Sequence, residues 1–429
     1  AAEIDNGQHV FLRCCTAYRA FLHRLGVADR TVLQHRLDLP VLEPGTGRRV
    51  RITRDRLPAP YHLLRTLARY RLVGPRDRWT AARALAALRH LDRDAAWTDE
   101  QSFAQWLEAH RVTPTAIRRL FDVFTVATLN APARQVSLRL AAMVFQEGLL
   151  TDPTACDIGY PAIPLGRLHG QAAQRVLDRL GARVLLRHRA RQVWLSPDRR
   201  WRVPVENGAS HERRELEADA VVIAVPHDRV SELVPPQAIP VSPELLRPSP
   251  IINVHVVFER RVLDVPFAAA VDSPAQFLFD RTASAGLDPT EGLQYLAISV
   301  SAAREWIGMP VADLRARFLP ELARLLPAAA HARVVDFFVT REPAATFLPE
   351  PGSAAYRLAT RTRLPGLLLA GAWTDTGWPA TMEGAVRSGW AAARALGELR
   401  GEPTRAVDLR GAKRSNVAAP TEDPARVEA

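Results

Sequence analysis

Lysine is almost missing from this chain, so its basic charge rests on arginine: 57 Lys+Arg against 46 Asp+Glu give a formal net charge of +11. There is no lysine-rich tail, no basic-aromatic ladder and no zinc-knuckle spacing, so no nucleic-acid partner is expected. The arginine- and alanine-rich usage reads as codon bias. Cysteine is scarce. Cys14, Cys15 and Cys156 are too few and too oddly placed for a disulfide framework and indicate a reducing compartment. Neighbouring cysteines rarely bridge without strain, so burial as small apolar residues is expected for them. The twelve histidines show no HExxH spacing, and no metal is expected. The longest apolar runs, Leu367 to Trp373 and Ala220 to Pro226, fall short of the roughly 20 residues a membrane-crossing helix requires. Ala1 to Phe11 has neither a basic start nor an apolar run, so it carries no secretory signal. The chain is therefore expected in the cytoplasm, either free or peripheral on the inner membrane surface. No internal repeat is visible.

With 429 residues and 47% hydrophobic content, the chain can bury a substantial core. Residues 16 to 38 suggest a helix, and 39 to 56 short strands around the Pro44-Gly45 turn. From Pro60 to Asp94 runs an arginine-rich amphipathic pair, with Leu63, Leu64, Leu67 and Tyr70 on one stripe and Trp79, Ala82, Leu85 and Leu88 on the next. Such a face suits either a membrane surface or its own core. Helices continue through Ser137 to Glu147, forming a cap with Trp106, Phe121, Phe124 and Phe145 as core or as tunnel wall. Ala218 to Pro226 has the β-branched character of a strand buried on both faces. Domain boundaries follow: 1-56, 151-240 and 359-398 form one discontinuous domain, 57-150 and 241-358 a second, and 399-429 a disordered tail.

Near the end, Leu367-Leu368-Leu369-Ala370-Gly371 runs into Ala372-Trp373-Thr374-Asp375-Thr376-Gly377-Trp378-Pro379-Ala380 and then Thr381-Met382-Glu383-Gly384. The pattern is strand, loop, helix. A helix start presents unpaired N–H groups and a positive dipole end, Thr381 can cap it, and Gly384 permits close approach, so an anion or an electron-rich ring carbonyl would be at home there.

In that segment and in Ile4-Asp5-Asn6-Gly7-Gln8-His9-Val10-Phe11, the chain resembles the flavin amine oxidase and phytoene desaturase superfamily, and within it the squalene-associated desaturases, the hydroxysqualene dehydroxylases. The likeness spans residues 1 to about 398. It implies an α/β fold: a Rossmann-like FAD-binding domain interleaved with a mixed-sheet and helical substrate domain. It implies FAD as cofactor, contacted at Gly7, Gln8, Val193, Gly371, Ala372 and Trp373, with Asp375, Thr381, Met382 and Glu383 completing the site. The helix opened by Thr381 would point its amides at the pyrimidine edge, and the Val193 backbone would pair with the adenine edge.

The resemblance departs at two points. The GxGxxG turn that cradles the FAD pyrophosphate is missing, so the first βαβ unit is expected to be lacking and Ala1 to be an internal residue of a longer parent. Ala372 stands where relatives usually carry an acid, and Asp375 is a substitute for it. The implied reaction is reduction of a lipophilic isoprenoid alcohol, hydroxysqualene, to squalene: the C–O bond ionises and hydride from reduced flavin quenches the allylic cation. His9 is then the candidate proton donor, with Asp5 and Asp375 as weaker ones. Two alternatives stay open. One is a carotenoid-type desaturase or an amine oxidase of the same fold, the latter with Trp373 and Trp378 as its aromatic cage; the other is a non-catalytic remnant without cofactor.

Overall fold

A computed structural model describes residues 3–288 and 292–401; the 399-429 tail lies, past its first three residues, outside the described residues. The fold is α/β, and of the four sheets among the described residues two, of unequal size, bear on the site. The larger has seven strands in the spatial order Val334–Phe347, Pro248–Phe258, Gln294–Val300, Phe277–Asp280, Phe267–Ala270, Asp38–Leu42 and Arg49–Thr53. All neighbours are antiparallel except Phe267–Ala270 and Asp38–Leu42, which pair in parallel through Ala269 and Val41. The 39 to 56 hairpin, grouped by sequence with the first domain, therefore completes the edge of the second domain's sheet.

Alternation along the central strand fixes what each face does. Ile252, Val254 and Val256 point into a core with Leu296, Ile298, Leu314, Phe318 and Leu322. The last three belong to helix Val311–Leu325, which covers that face. Asn253 and His255 point the other way, to where Tyr295, Phe338 and Thr340 also face.

The smaller sheet is a parallel pair, Val221–Ile223 beside Leu367–Leu369. Its first strand is not buried on both faces as expected, because Val222 stays 41% exposed. Two strands cannot enclose one another, and no described element covers that side chain. Leu367, Leu368 and Leu369 are buried.

Helix 16 to 38 is shorter than expected: it spans Thr16–Leu25 and stops where Gly26 turns left-handed at φ 71. The helical lobe of 64–150 is cut by strong caps, including the Ser102–Gln105 capping box and the Ser137 cap of Leu138–Phe145. Phe121, Phe145 and Trp106 are core residues there, and Phe124 is half-buried against them. Cys14 and Cys15, expected to be buried, are only partly so, while Cys156 is buried. No helix of the described residues is long and apolar enough to cross a membrane.

Candidate active site

Two segments distant in sequence carry most of the expected site residues. The first is the loop and helix after Leu367–Leu369. Gly371 N–H donates to Ser388 Oγ at 2.8 Å, and the Trp373 indole N–H donates to Val225 O at 2.9 Å, tying the loop to its own helix and to the neighbouring strand. Arg357, buried, donates to the carbonyls of Trp373 at 3.2 Å and of Thr374 and Trp378 at 2.6 Å each. Burial lowers its pKa to about 10, with Asp375 opposing. The guanidinium is thus the pin of the whole loop.

Helix Met382–Leu399 starts at Thr381, whose hydroxyl accepts from Gly384 N–H at 3.2 Å. A Cβ at Gly384 would lie 2.5 Å from Pro379 O, so only glycine lets the loop fold back this tightly. The Met382 side chain packs with Phe11, Tyr18 and Val386. Glu383 turns inward, 1% exposed: its carboxylate accepts from the N–H groups of Ala17 at 3.1 Å and Tyr18 at 2.7 Å, and from Arg387 at 2.7 Å. It is the anion at the start of helix Thr16–Leu25, and only its backbone remains for a ligand.

The second segment is the turn at 5–9. Asp5 accepts from Arg281 and from Leu165 N–H, both at 2.9 Å. Asn6 O accepts from Asn253 Nδ2 at 2.8 Å and Thr340 Oγ1 at 2.9 Å, and Asn6 Nδ2 donates to Glu342 at 2.6 Å. The turn is therefore seated on the inner face of the seven-stranded sheet. Both polar atoms of the Gln8 side chain, and Asn253 Oδ1, are buried with no protein partner among the described residues. Nδ1 of His9 donates to Gly7 O at 3.3 Å, which leaves Nε2 as an acceptor. The imidazole sits in an open recess: it keeps solvent access, yet the protein crowded around it lowers its pKa, against the raising pull of Gly7 O and Asp5. His9 is thus neutral near pH 7 and suited to accept a proton, whereas the sequence cast it as a donor. Asp5, with both oxygens committed, is a clamp.

The remaining expected residues stand elsewhere. Val193 is buried and its N–H donates to Leu233 O at 2.8 Å, so no free amide waits there for an adenine edge. Asp375 is exposed and lines a cavity of about 240 Å3 with Arg93, Asp94, Arg139, Met143 and Arg357. Trp373 is buried and Trp378 lies 4.7 Å from the Arg387 guanidinium, so the two rings frame no cage. Sequence reasoning missed Asn253, His255, Arg281, Tyr295 and Arg357. No spacing marks them, since each acquires its role from a partner more than a dozen residues away. No group of His, Cys, Asp or Glu suited to a metal ion occurs among the described residues.

Residues 2–397 match the flavin containing amine oxidoreductase family. The chain belongs to that family. Among curated relatives, hydroxysqualene dehydroxylase of Zymomonas mobilis is 26% identical over 91% of this chain and 86% of its own length. The 15-cis-phytoene desaturase of Synechococcus elongatus is 25% identical over 70% of this chain and 65% of its own, so that match spans under two thirds of the relative. Among solved structures, putrescine oxidase bound to putrescine superposes with a TM-score of 0.64 at 18% identity, covering 92% of this chain and 88% of that one. Reduced UDP-galactopyranose mutase gives 0.59 at 12% identity, covering 96% and 89%. At these identities the structures speak for the fold.

The cofactor of this flavin containing family is FAD. The residues present fit its ring end. The Thr381-capped helix start offers amides that no helix can satisfy internally, and the Gln8 amide beside the 5–9 turn lacks any protein partner. The described residues hold no glycine-rich turn for the pyrophosphate.

Proposed function

We propose that this chain is an FAD-dependent oxidoreductase of a lipophilic polyprenoid, and that its reaction is the reductive dehydroxylation of hydroxysqualene to squalene. One observation carries the polyprenoid reading. Where the sheet face receives the 5–9 turn, Asn253, His255, Tyr295, Ala297, Phe338 and Thr340 are uncharged and Glu342 and Arg281 are spent on Asn6 and Asp5, while Asp336 stands exposed further along the same strand face. A stretch of face whose buried side chains carry no free charge suits a neutral hydrocarbon chain better than an ammonium group. The length of the match to hydroxysqualene dehydroxylase supports the finer assignment.

In the net change an allylic C–OH becomes C–H and water departs, consuming one hydride and one proton. FAD, when bound in reduced form, supplies the hydride. The Met382 and Glu383 amides, left free at the helix start, would hold the flavin edge, and the apolar cluster around Phe11, Tyr18 and Met382 would exclude water from it. A surface-associated site suits such a substrate, so peripheral membrane contact belongs to this reading.

A second reading, desaturation of a polyprenoid hydrocarbon, is favoured by one feature: neutral His9, with Nε2 free as an acceptor, suits removal of a proton better than its delivery. The pH profile separates the two. The FAD-loaded chain, reduced anaerobically, is given hydroxysqualene, and the oxidised form is given phytoene. Dehydroxylation aided by His9 as acid gains rate only below pH 6.5, where the ring charges, while desaturation aided by His9 as base gains rate as pH rises through that same lowered pKa. No squalene at any pH sinks the finer assignment. No product from either substrate, in a preparation that stays colourless with FAD, sinks the flavoenzyme reading altogether.

A further inference from the structure

The helical lobe carries an outer surface that neither the site nor the core uses. The amphipathic stripes of 60–94 left a membrane surface and a core open, and most of them serve a core: Leu67, Tyr70 and Leu88 are buried, with Leu63, Ala82 and Leu85 packed against them. Leu64 and Trp79 do not. They stand 51% and 60% exposed, with Leu57 at 50% and Tyr61 at 55% beside them in the chain. On helix Pro75–Arg89 the buried stripe is Thr80, Ala81, Ala84 and Leu88, so Arg76, Trp79, Arg83 and Ala87 form the opposite, outer stripe. Helix Leu64–Arg69 is tied to this helix where Arg78 donates to Ala68 O. The Arg83 guanidinium lies 4.7 Å over the Trp79 ring.

Charge decides what this surface fits. Residues 56–90 contain eight arginines and one carboxylate, Asp77, which accepts from Thr113 at 2.9 Å. Among the described residues only Arg65 of the eight comes within 4 Å of a carboxylate, that of Asp55 at 3.9 Å. Arg202 by contrast meets Asp198 and Glu217, and Arg191 meets Glu206; a second run without ion pairs among the described residues, Arg175, Arg179, Arg183 and Arg187, lies beside exposed Leu180 and Leu186 but lacks the aromatic rings that Tyr61 and Trp79 give this face. Exposed leucine, tyrosine and tryptophan set among unpaired arginines match the two layers of an anionic bilayer surface: rings and alkyl groups enter the headgroup boundary while guanidinium groups meet phosphates. We propose that the face formed by Leu57, Tyr61, Leu64, Trp79 and the surrounding arginines docks on an anionic lipid bilayer, seating the chain as a peripheral membrane protein through this lobe. The proposal names the surface that the polyprenoid reading above leaves open, and its measurement needs no substrate.

Co-sedimentation of the full chain with vesicles tests it. With phosphatidylcholine vesicles containing phosphatidylglycerol at low salt, the wild-type chain is expected in the pellet, and with phosphatidylcholine alone or at high salt in the supernatant. The variant Arg69→Gln, Arg76→Gln, Arg83→Gln lowers partitioning by roughly tenfold or more, and Leu64→Ser, Trp79→Ser lowers it several-fold. The control Arg213→Gln, Arg214→Gln, Arg229→Gln, with the same loss of charge elsewhere in the chain, keeps wild-type binding. Circular dichroism and thermal melts establish that each variant is folded, and all its substitutions sit at exposed positions. A wild-type chain that stays in the supernatant, a control that fails as badly as the patch variant, or displacement of the vesicles by an RNA homopolymer overturns the proposal. Turnover of detergent-dispersed hydroxysqualene by the patch variants, measured separately, keeps a failed docking surface distinct from a failed substrate assignment.

Discussion

The seven-stranded sheet encloses a core of its own, with Ile252, Val254, Leu296, Ile298, Leu314 and Phe318 all fully buried under one helix. The parallel pair Val221–Ile223 and Leu367–Leu369 has no such enclosure, and its surroundings are held by polar pins: Arg357 on three loop carbonyls, Ser388 on Gly371, and Glu383 on the amides of a helix 366 positions away in sequence. The first region keeps its shape by area removed from water, which is non-directional and tolerant. The second depends on directional bonds, each of which leaves a buried orphan when removed. Placing the candidate site at the seam gives it a rigid floor on one side and an adjustable rim on the other.

Substitutions on the two sides should therefore fail in different ways. The largest effect is expected from Phe318→Ala, which empties the core beneath the sheet and costs about 3 to 5 kcal/mol by denaturant unfolding. It should leave flavin affinity per folded molecule near wild type; a parallel loss of affinity would mean that the two regions are not separable.

Next comes the pH dependence set by His255. Burial lowers its pKa to about 4, and it lies between Tyr295 and Thr340, stacked on Phe338. Between about pH 6.5 and 4 the unfolded chain holds a proton that the folded chain does not, so stability falls as pH falls through that window, by on the order of 3 kcal/mol. Replacing it in His255→Phe removes that share of the slope. Unfolding curves at both ends of the window check it, and an unchanged slope refutes a buried neutral His255.

The smallest shift is expected at the rim. Glu383→Gln removes the negative charge that two helix amides and Arg387 share, at a cost of about 2 kcal/mol. Hydrogen exchange should quicken first at Ala17 and Tyr18 while the sheet amides stay protected. Uniform quickening would show that the rim and the sheet unfold as one unit.

Much of this was legible in the residues. The apolar run at 367–369, the Thr381 cap and the helix behind it are local features, written in turn and cap residues a few positions apart. The Gly7-Gln8-His9 turn was visible as a motif, yet its seat was not, because Asn253 and Thr340 reach it from strands some 250 and 330 positions later. The charge state of His9 was not legible for a related reason: it depends on how much protein surrounds the imidazole. Leu64 and Trp79 shared their stripes with residues that the structure buries, and only the packing of Leu67, Tyr70 and Leu88 set them apart.

By itself, then, the chain determined its elements, its family resemblance and the identity of the closing loop, since propensities, caps and turns act over a few residues. Tertiary structure alone decided that Glu383 serves another helix, that Arg357 fastens the loop, that His9 is neutral, and which arginines find no carboxylate, because burial and pairing arise only when distant segments meet.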